Sequence, residues 1–281
     1  MVTCVILNYN DSSTTINLLK NILEYRSIDK IIVVDGASTD DSVDRLKEYE
    51  CDKIVVLQAD KNGGYGYGNN LGISYSRKIG AQYVIIANPD VAFTERSIVN
   101  TISLFELHDD CIAAAPVMEG REPAYKFASS PLIDALQASI IFNKLIRPRY
   151  YARGYFKNKT ECQVDILPGS LLIIDVSKLL NDKLYDEKIF LYHEEAVIGR
   201  QFKEWGLTSW VNLQDEYQHY HSISIKKNFS SVIAVKKIVI TSHQYYLKNY
   251  LNSRASARFL GICRPLLYFE AYCWNCLKKI R

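Results

Sequence analysis

The sequence predicts an α/β protein with a mainly parallel sheet and helices on both faces, continued by a C-terminal helical extension. Over residues 1–120, short runs rich in Val and Ile alternate with segments of helical periodicity, the pattern of a chain that crosses a sheet in one direction and returns through helices. Asn, Asp, Gly and Pro bound those runs, and these residues end strands and open turns. Beyond residue 226 the strand pattern gives way to apolar segments that carry Lys and Arg.

Strands are expected near 2–8, 30–35, 53–58, 82–87 and 111–116, with helices near 13–25, 40–49, 67–79 and 94–107 between them. The pattern breaks from Pro123 to Lys159. An apolar helix is expected over Leu132 to Ile146, followed by Arg147-Pro148-Arg149-Tyr150-Tyr151-Ala152-Arg153, a candidate membrane or acceptor contact. The sheet resumes over Val164 to Asp175, a helix runs from about Glu194 to Trp205, and a short strand precedes His219. Internal repeats and low-complexity linkers are absent from the sequence.

The 281 residues are enough for one large or two small α/β domains, and 48% apolar with 23% charged side chains is ordinary for a globular protein. The seven cysteines are an odd number, mostly within apolar runs, and read as reduced core residues. Cys273-Trp274-Asn275-Cys276 lacks the further ligands of a zinc site and the βαβ surroundings of a redox motif, so it reads as structural. The strand pattern beginning at Val2 leaves no room for a secretory leader, and a cytoplasmic protein is expected. The net charge of +3 is unevenly spread: Lys226 to Arg281 holds eleven Lys or Arg against one acid, Glu270, a net of +10 that leaves −7 for residues 1–225. This tail fits an amphipathic helix on an anionic membrane better than a nucleic-acid contact. A helix pair packed on the main domain with its basic face in water fits equally well. Arg264, Pro265 and Glu270 interrupt it too often for a transmembrane helix.

Four segments carry chemistry. Asp35 ends the second strand in Val33-Val34-Asp35-Gly36-Ala37-Ser38-Thr39-Asp40. A carboxylate there can accept the imide N–H of uracil or thymine, while Ser38 to Asp40 cap the next helix. Asn62-Gly63-Gly64-Tyr65-Gly66-Tyr67-Gly68-Asn69-Asn70 resembles a nucleotide loop, since glycine admits close backbone approach and a helix N-terminus attracts negative charge. It follows the third strand, whereas methyltransferases and dinucleotide dehydrogenases place such glycines after the first. Asn88-Pro89-Asp90 follows the apolar run Tyr83 to Ala87 and puts a carboxylate at the sheet's carboxyl edge, where it can hold a divalent cation against a diphosphate. One imidazole of His219-Tyr220-His221 can complete that shell. Glu194 and Glu195 open a helix after an aromatic run, and at most one of these neighbours can be a general base, because adjacent helix residues do not share a face.

Together these segments resemble the bacterial family-2 glycosyltransferases of rhamnosyltransferase-like kind that build capsular, O-antigen or cell-wall polysaccharide. The likeness runs from Val5-Ile6-Leu7-Asn8-Tyr9-Asn10 through Val33 to Asp40, Asn62 to Gly72, Asn88 to Asp90, Gly169-Ser170, Tyr185-Asp186-Glu187 and Phe190 to Glu195, ending at His221-Ser222. It implies a GT-A fold, a nucleotide-diphosphate sugar donor, Mg²⁺ or Mn²⁺ and inversion at the anomeric carbon; with the reading of Asp35, a UDP- or dTDP-sugar donor is expected, and a lipid-linked glycan acceptor at the inner membrane face. It assigns Asn8, Asn10, Asp35, Asn62, Gly63, Gly64, Asn69, Asn88 and Gly169 to the nucleotide sugar. Asp90 and His221 fall to the metal, and Glu195, with Glu194 as rival, falls to catalysis. Residues 1–225 form the catalytic domain, with a nucleotide-sugar half over 1–120 and an acceptor half over 121–225, and residues 226–281 the basic tail. Gly36, Asn88, Glu195 and Val197 depart from the family's usual Asn, acid, Asp and acid at those positions. A catalytically inactive relative that only binds a glycan or partner is the alternative. A sugar-nucleotide pyrophosphorylase would need an early phosphate loop, and Asn8 to Ser13 has neither Gly nor Lys.

Overall fold

The computed structural model describes residues 1–147, 149–220 and 231–280. The strands are β1 (Val2–Asn8), β2 (Lys30–Asp35), β3 (Ile54–Gln58), β4 (Tyr83–Ala87), β5 (Val91–Ala92), β6 (Cys111–Met118), β7 (Glu161–Val164), β8 (Leu171–Asp175) and β9 (Thr208–His219). They lie in the order β3-β2-β1-β4-β8-β6-β9-β5, with β7 beside β9. Strands β1 to β4 are mutually parallel, β6 runs parallel to β9, and β8 is antiparallel to both β4 and β6.

Period-two alternation divides the core. Cys4, Ile6, Ile31 and Val33 face the side packed by α1 (Ser12–Ile22), and Val5, Ile32 and Val34 face the side packed by α3 (Tyr65–Lys78). Glycine sets the closeness of α3. A Cβ at Gly68 would lie 2.3 Å from Leu7 Cδ1, and one at Gly72 would lie 2.3 Å from Val5 Cγ1. The first face is completed by α2 (Ser42–Lys47), α4 (Glu95–Ile102) and α5 (Leu104–Leu107), the last two replacing the single helix expected over 94–107. Ser103 and its neighbours turn the chain between them.

The remaining elements are α6 (Pro131–Leu136), α7 (Ile140–Ile146), α8 (Glu194–Glu204), α9 (Val232–Asn249), α10 (Arg254–Ile262) and α11 (Arg264–Ile280). The helix expected over 132–146 is broken at Gln137–Ser139, because Ser139 caps a new helix by accepting from Phe142 N. The sheet resumes, as expected over 164–175, in two strands, β7 and β8, with Gly169 between them admitting α8 at close range.

The basic C-terminal region is packed. Ile240, Leu247, Ala257, Leu260 and Leu267 form a core with Ala135 of α6 and Ala138 just after it. Tyr246, fully buried, joins Ile166, Ile189, Ala196 and Val197 beneath α8. No helix among the described residues is long and apolar enough to cross a membrane.

Candidate active site

The carboxyl ends of β1, β2 and β4 open onto one edge, and their last residues are Asn8, Asp35 and Ala87, followed by Asn88. Asp35 is fully buried. Its Oδ2 accepts from Asn8 Nδ2 at 2.8 Å and from Ser38 Oγ at 2.7 Å, and its Oδ1 accepts from Ser38 N at 2.8 Å. The carboxylate therefore braces the β1 and β2 loops. Ser38 Oγ in turn accepts from Asn10 N at 2.9 Å, and Asn10 Oδ1 accepts from Thr39 N at 2.8 Å, with Asn10 held at φ 52°. Asn8, Asp35 and Asn10 are thus one hydrogen-bonded unit.

The glycine-rich loop is also used internally. The amide of Gly63 donates to Lys61 O, that of Gly64 to Asn62 Oδ1, and that of Tyr65 to Phe190 O. Gly64 has φ 89°, and a Cβ there would stand 2.2 Å from Phe190 O. Gly64 thus admits the close approach of the α3 start to the loop before α8, and Gly63 leaves room for the Tyr67 ring. Asn69 is buried within α3, its Nδ2 donates to Tyr65 O, and its Oδ1 has no hydrogen-bond partner among the described residues.

Asp90 and His219 meet across β5 and β9. Val91 pairs with His219, which brings His219 Nε2 to 3.0 Å from Asp90 Oδ1. Neighbouring ligands of an octahedral ion with bonds of about 2.1 Å stand roughly 3 Å apart, so this oxygen and nitrogen fit two adjacent positions on one cation. Among the described residues no third His, Cys, Asp or Glu joins them. That donor set suits an ion whose remaining ligands are waters and substrate phosphates. The imidazole beside Asp90 is His219, and His221 lies outside the described residues.

Glu195 faces a cavity of about 280 Å³ that is also lined by Tyr125, Arg149, Tyr192, His193 and Val239. It packs against Gly169, where a Cβ would come within 3.0 Å of Glu195 Oε1. Gly169 accepts from Tyr65 OH at 2.8 Å through its carbonyl, and the next carbonyl, of Ser170, accepts from Asn88 N at 2.8 Å. One short strand entry therefore ties Glu195 to the loop bearing Asp90. Burial raises the Glu195 carboxyl above the usual carboxylate range, while nearby backbone amides and the Arg149 guanidinium pull the other way.

Glu194 is more deeply buried, and its Oε1 has no hydrogen-bond partner among the described residues. Burial first, and then the Glu195 charge, push its carboxyl up to about 8. Both glutamates follow Tyr192 and His193, which have φ 71° and 73°. Two successive non-glycine residues in the left-handed region are strained and must be held from outside. Helix α9 does so. Ser242 Oγ donates to Leu191 O at 2.7 Å, the His193 ring lies 4.2 Å from that of His243, and His243 Nε2 is 2.6 Å from the Asp134 carboxylate. Nothing in the sequence marks Asp134 and His243, 109 positions apart, as partners. Arg149 stands in the aromatic-basic segment read as a contact.

The family model of glycosyl transferase family 2 matches residues 3–177, and the chain belongs to that family. Its fold is GT-A, and the matched stretch ends before Glu194 and Glu195. A curated relative, the low-salt glycan biosynthesis hexosyltransferase Agl10 of Haloferax volcanii, is 25% identical over 202 residues, 68% of this chain and 58% of that protein. The chain thus spans less than two thirds of the relative it matches. Among solved structures, a mannosyltransferase of Pyrobaculum calidifontis in complex with GDP-Man and Mn²⁺ superposes with a TM-score of 0.61 at 14% identity, over 97% of this chain and 73% of the other. GalNAc-T7 with UDP, GalNAc and Mn²⁺ gives 0.61 at 13% identity, over 88% and 49%. TarS of S. aureus gives 0.53 at 13%, over 92% and 42%.

Proposed function

We propose that this glycosyltransferase moves a hexosyl or rhamnosyl unit from a UDP- or dTDP-sugar to a lipid-linked glycan, with inversion, at the inner face of a bacterial membrane during surface polysaccharide synthesis. The single observation that carries the chemistry is Glu195, a carboxylate facing a cavity and packed on the strand entry that also positions the Asp90 loop. Glu195 takes the proton of the acceptor hydroxyl as that oxygen attacks the anomeric carbon. The new C–O bond forms on the face opposite the diphosphate, and the old C–O bond breaks with its electron pair leaving on the phosphate oxygen. A carboxyl raised by burial is the stronger base for that transfer. Glu194, pushed to about 8, is largely protonated near neutral pH and is unsuited to the task.

Asp90 and His219 would hold Mg²⁺ or Mn²⁺, which supplies positive charge to the departing diphosphate. The Mn²⁺ named with two GT-A neighbours supports this reading, and the hexosyltransferase name of the archaeal relative supports a hexose and a glycan acceptor. Asp35 Oδ1 accepts from Ser38 N and keeps capacity for a second hydrogen bond, so the uracil or thymine preference asks for this buried carboxylate to be uncovered and not for Ser38 Oγ to leave it.

Calorimetry of the whole chain with UDP, dTDP, GDP and CDP, each with and without Mn²⁺, tests the donor reading. Mn²⁺-dependent binding of UDP or dTDP is expected. Preference for GDP would overturn the base assignment, and binding of none by the folded protein would favour a non-catalytic relative.

A further inference from the structure

Helices α7 and α11 lie side by side and are joined at both ends of α7. The Glu270 carboxylate accepts from Ser139 Oγ at 2.8 Å and from the amides of Ile140 and Ile141 at 2.9 and 2.8 Å, capping α7. One turn on, Lys144 Nζ sits 3.9 Å from the centroid of the Trp274 ring. The inner side of α11 is accounted for by Leu267 and Ala271, both buried. Its outer side is also apolar. Leu266, Phe269 and Tyr272 are 67%, 66% and 56% exposed, Ile262 just before them is 79% exposed, and Ile141 and Leu145 on α7 are 58% and 75% exposed. No residue of α7 is buried. A folded protein rarely leaves so many large apolar side chains together in water without a partner.

We propose that the α7–α11 face is a docking surface for an anionic lipid bilayer, an assignment that rests on the membrane-facing acceptor proposed above and names the surface that meets it. Charge selects this occupant. Glu270 is the one acid in residues 226–281, and its oxygens are engaged at the α7 cap. Lys144, Arg254 and Arg258 are exposed on the same helices and their neighbour α10. A second copy of the chain would set two strongly basic regions against each other, whereas anionic headgroups complement them. The apolar side chains then enter the boundary between headgroups and acyl chains, as in an amphipathic helix lying in the interface plane. The location suits the chemistry, because Arg149 of the cavity follows three residues after Ile146 at the end of α7.

Flotation of the whole chain with phosphatidylcholine vesicles, with and without phosphatidylglycerol, tests this, alongside a Leu145→Glu/Phe269→Glu variant. The native chain is expected to float with the anionic vesicles and to be released by salt. The bound fraction of the variant should fall at least about tenfold, in line with the cost of charge in an apolar interface. A Leu145→Ser/Phe269→Ser variant gives an intermediate loss without added charge, and covers the case in which the Glu pair impairs folding. A native chain that stays in solution, equal flotation of all three proteins, or conversion of a dimer to a monomer without any lipid binding would overturn the proposal. Nucleotide binding, measured by calorimetry on the same samples, is expected to be unchanged, so failure of the donor reading and failure of docking are seen separately.

Discussion

Two adjacent glutamates in the same helix turn have different fates because one faces a cavity and the other faces the protein interior. Glu194 keeps a proton in the folded chain that it releases on unfolding, since its value of about 8 lies above the ordinary 4.5. The folded state then binds more protons than the unfolded state between those values. Stability contributed by this group is therefore present below about pH 4.5 and is lost as pH rises through about 8. Glu194→Gln should melt at a higher temperature than the native chain, by a margin that widens from about pH 5 to about pH 9. A pH-independent difference in thermal denaturation would contradict the burial of that carboxyl. At Asp90 the expected change is in metal response. Asp90→Asn should bind nucleotide without the gain from Mn²⁺ that the native chain shows, and an unchanged gain in calorimetry would remove Asp90 from the metal site.

The residue types at these positions were legible in the sequence, but their surroundings were not. A carboxylate at the end of a parallel strand identifies Asp35 as an edge residue. Only the three-dimensional pairing shows its oxygens bonded to Asn8 and Ser38. His219 and His221 are indistinguishable by spacing, and the pairing of β5 with β9 is what sets His219 beside Asp90.

Among the elements, α3 and α9 govern the site from opposite sides. The glycines of α3 read as a phosphate loop from composition, yet Gly68 and Gly72 are required by the approach of Leu7 and Val5. Gly72→Ala, with its Cβ 2.3 Å from Val5 Cγ1, should destabilise the chain by about 1–3 kcal/mol in urea unfolding through overpacking. Helix α9 holds the strained Tyr192-His193 turn through Ser242 and through the His243–Asp134 pair. Burial lowers the His243 imidazole, which favours its neutral form in the folded chain. Asp134→Ala leaves that buried ring without its partner and should cost about 1–3 kcal/mol. It should also lower turnover while nucleotide affinity stays unchanged. Equal losses in both readouts would mean a general packing defect and not a displaced Glu195.

At the scale of the whole molecule, the alternation of strands and helices over residues 1–120 was legible because short Val- and Ile-rich runs have few other uses. The antiparallel β8 and the 12-residue β9 were less so, since turns and pairings far apart in sequence decide them. The C-terminal basic charge suggested either a membrane contact or a packed helix pair. The structure packs α9 and α10 on α6 and α8 and leaves the outer side of α11 exposed. Among the described residues, the two large cores that cover the sheet contain none beyond Tyr217. A chain ending at Ser231 should therefore keep Mn²⁺-dependent nucleotide binding and lose turnover, because the Tyr192-His193 turn before Glu195 then loses Ser242 and His243. Full turnover by that shortened chain would contradict the role given to α9.

The central claim is that Glu195 is the base of a glycosyl transfer. The most direct measurement is release of nucleoside diphosphate from a panel of UDP- and dTDP-sugars by the native chain, Glu195→Gln and Glu194→Gln, with donor binding measured on each by calorimetry. Glu195→Gln should bind donor as the native chain does and lose turnover by about 10²-fold or more, while Glu194→Gln stays active. Native turnover in Glu195→Gln, or its loss in Glu194→Gln alone, would contradict the account.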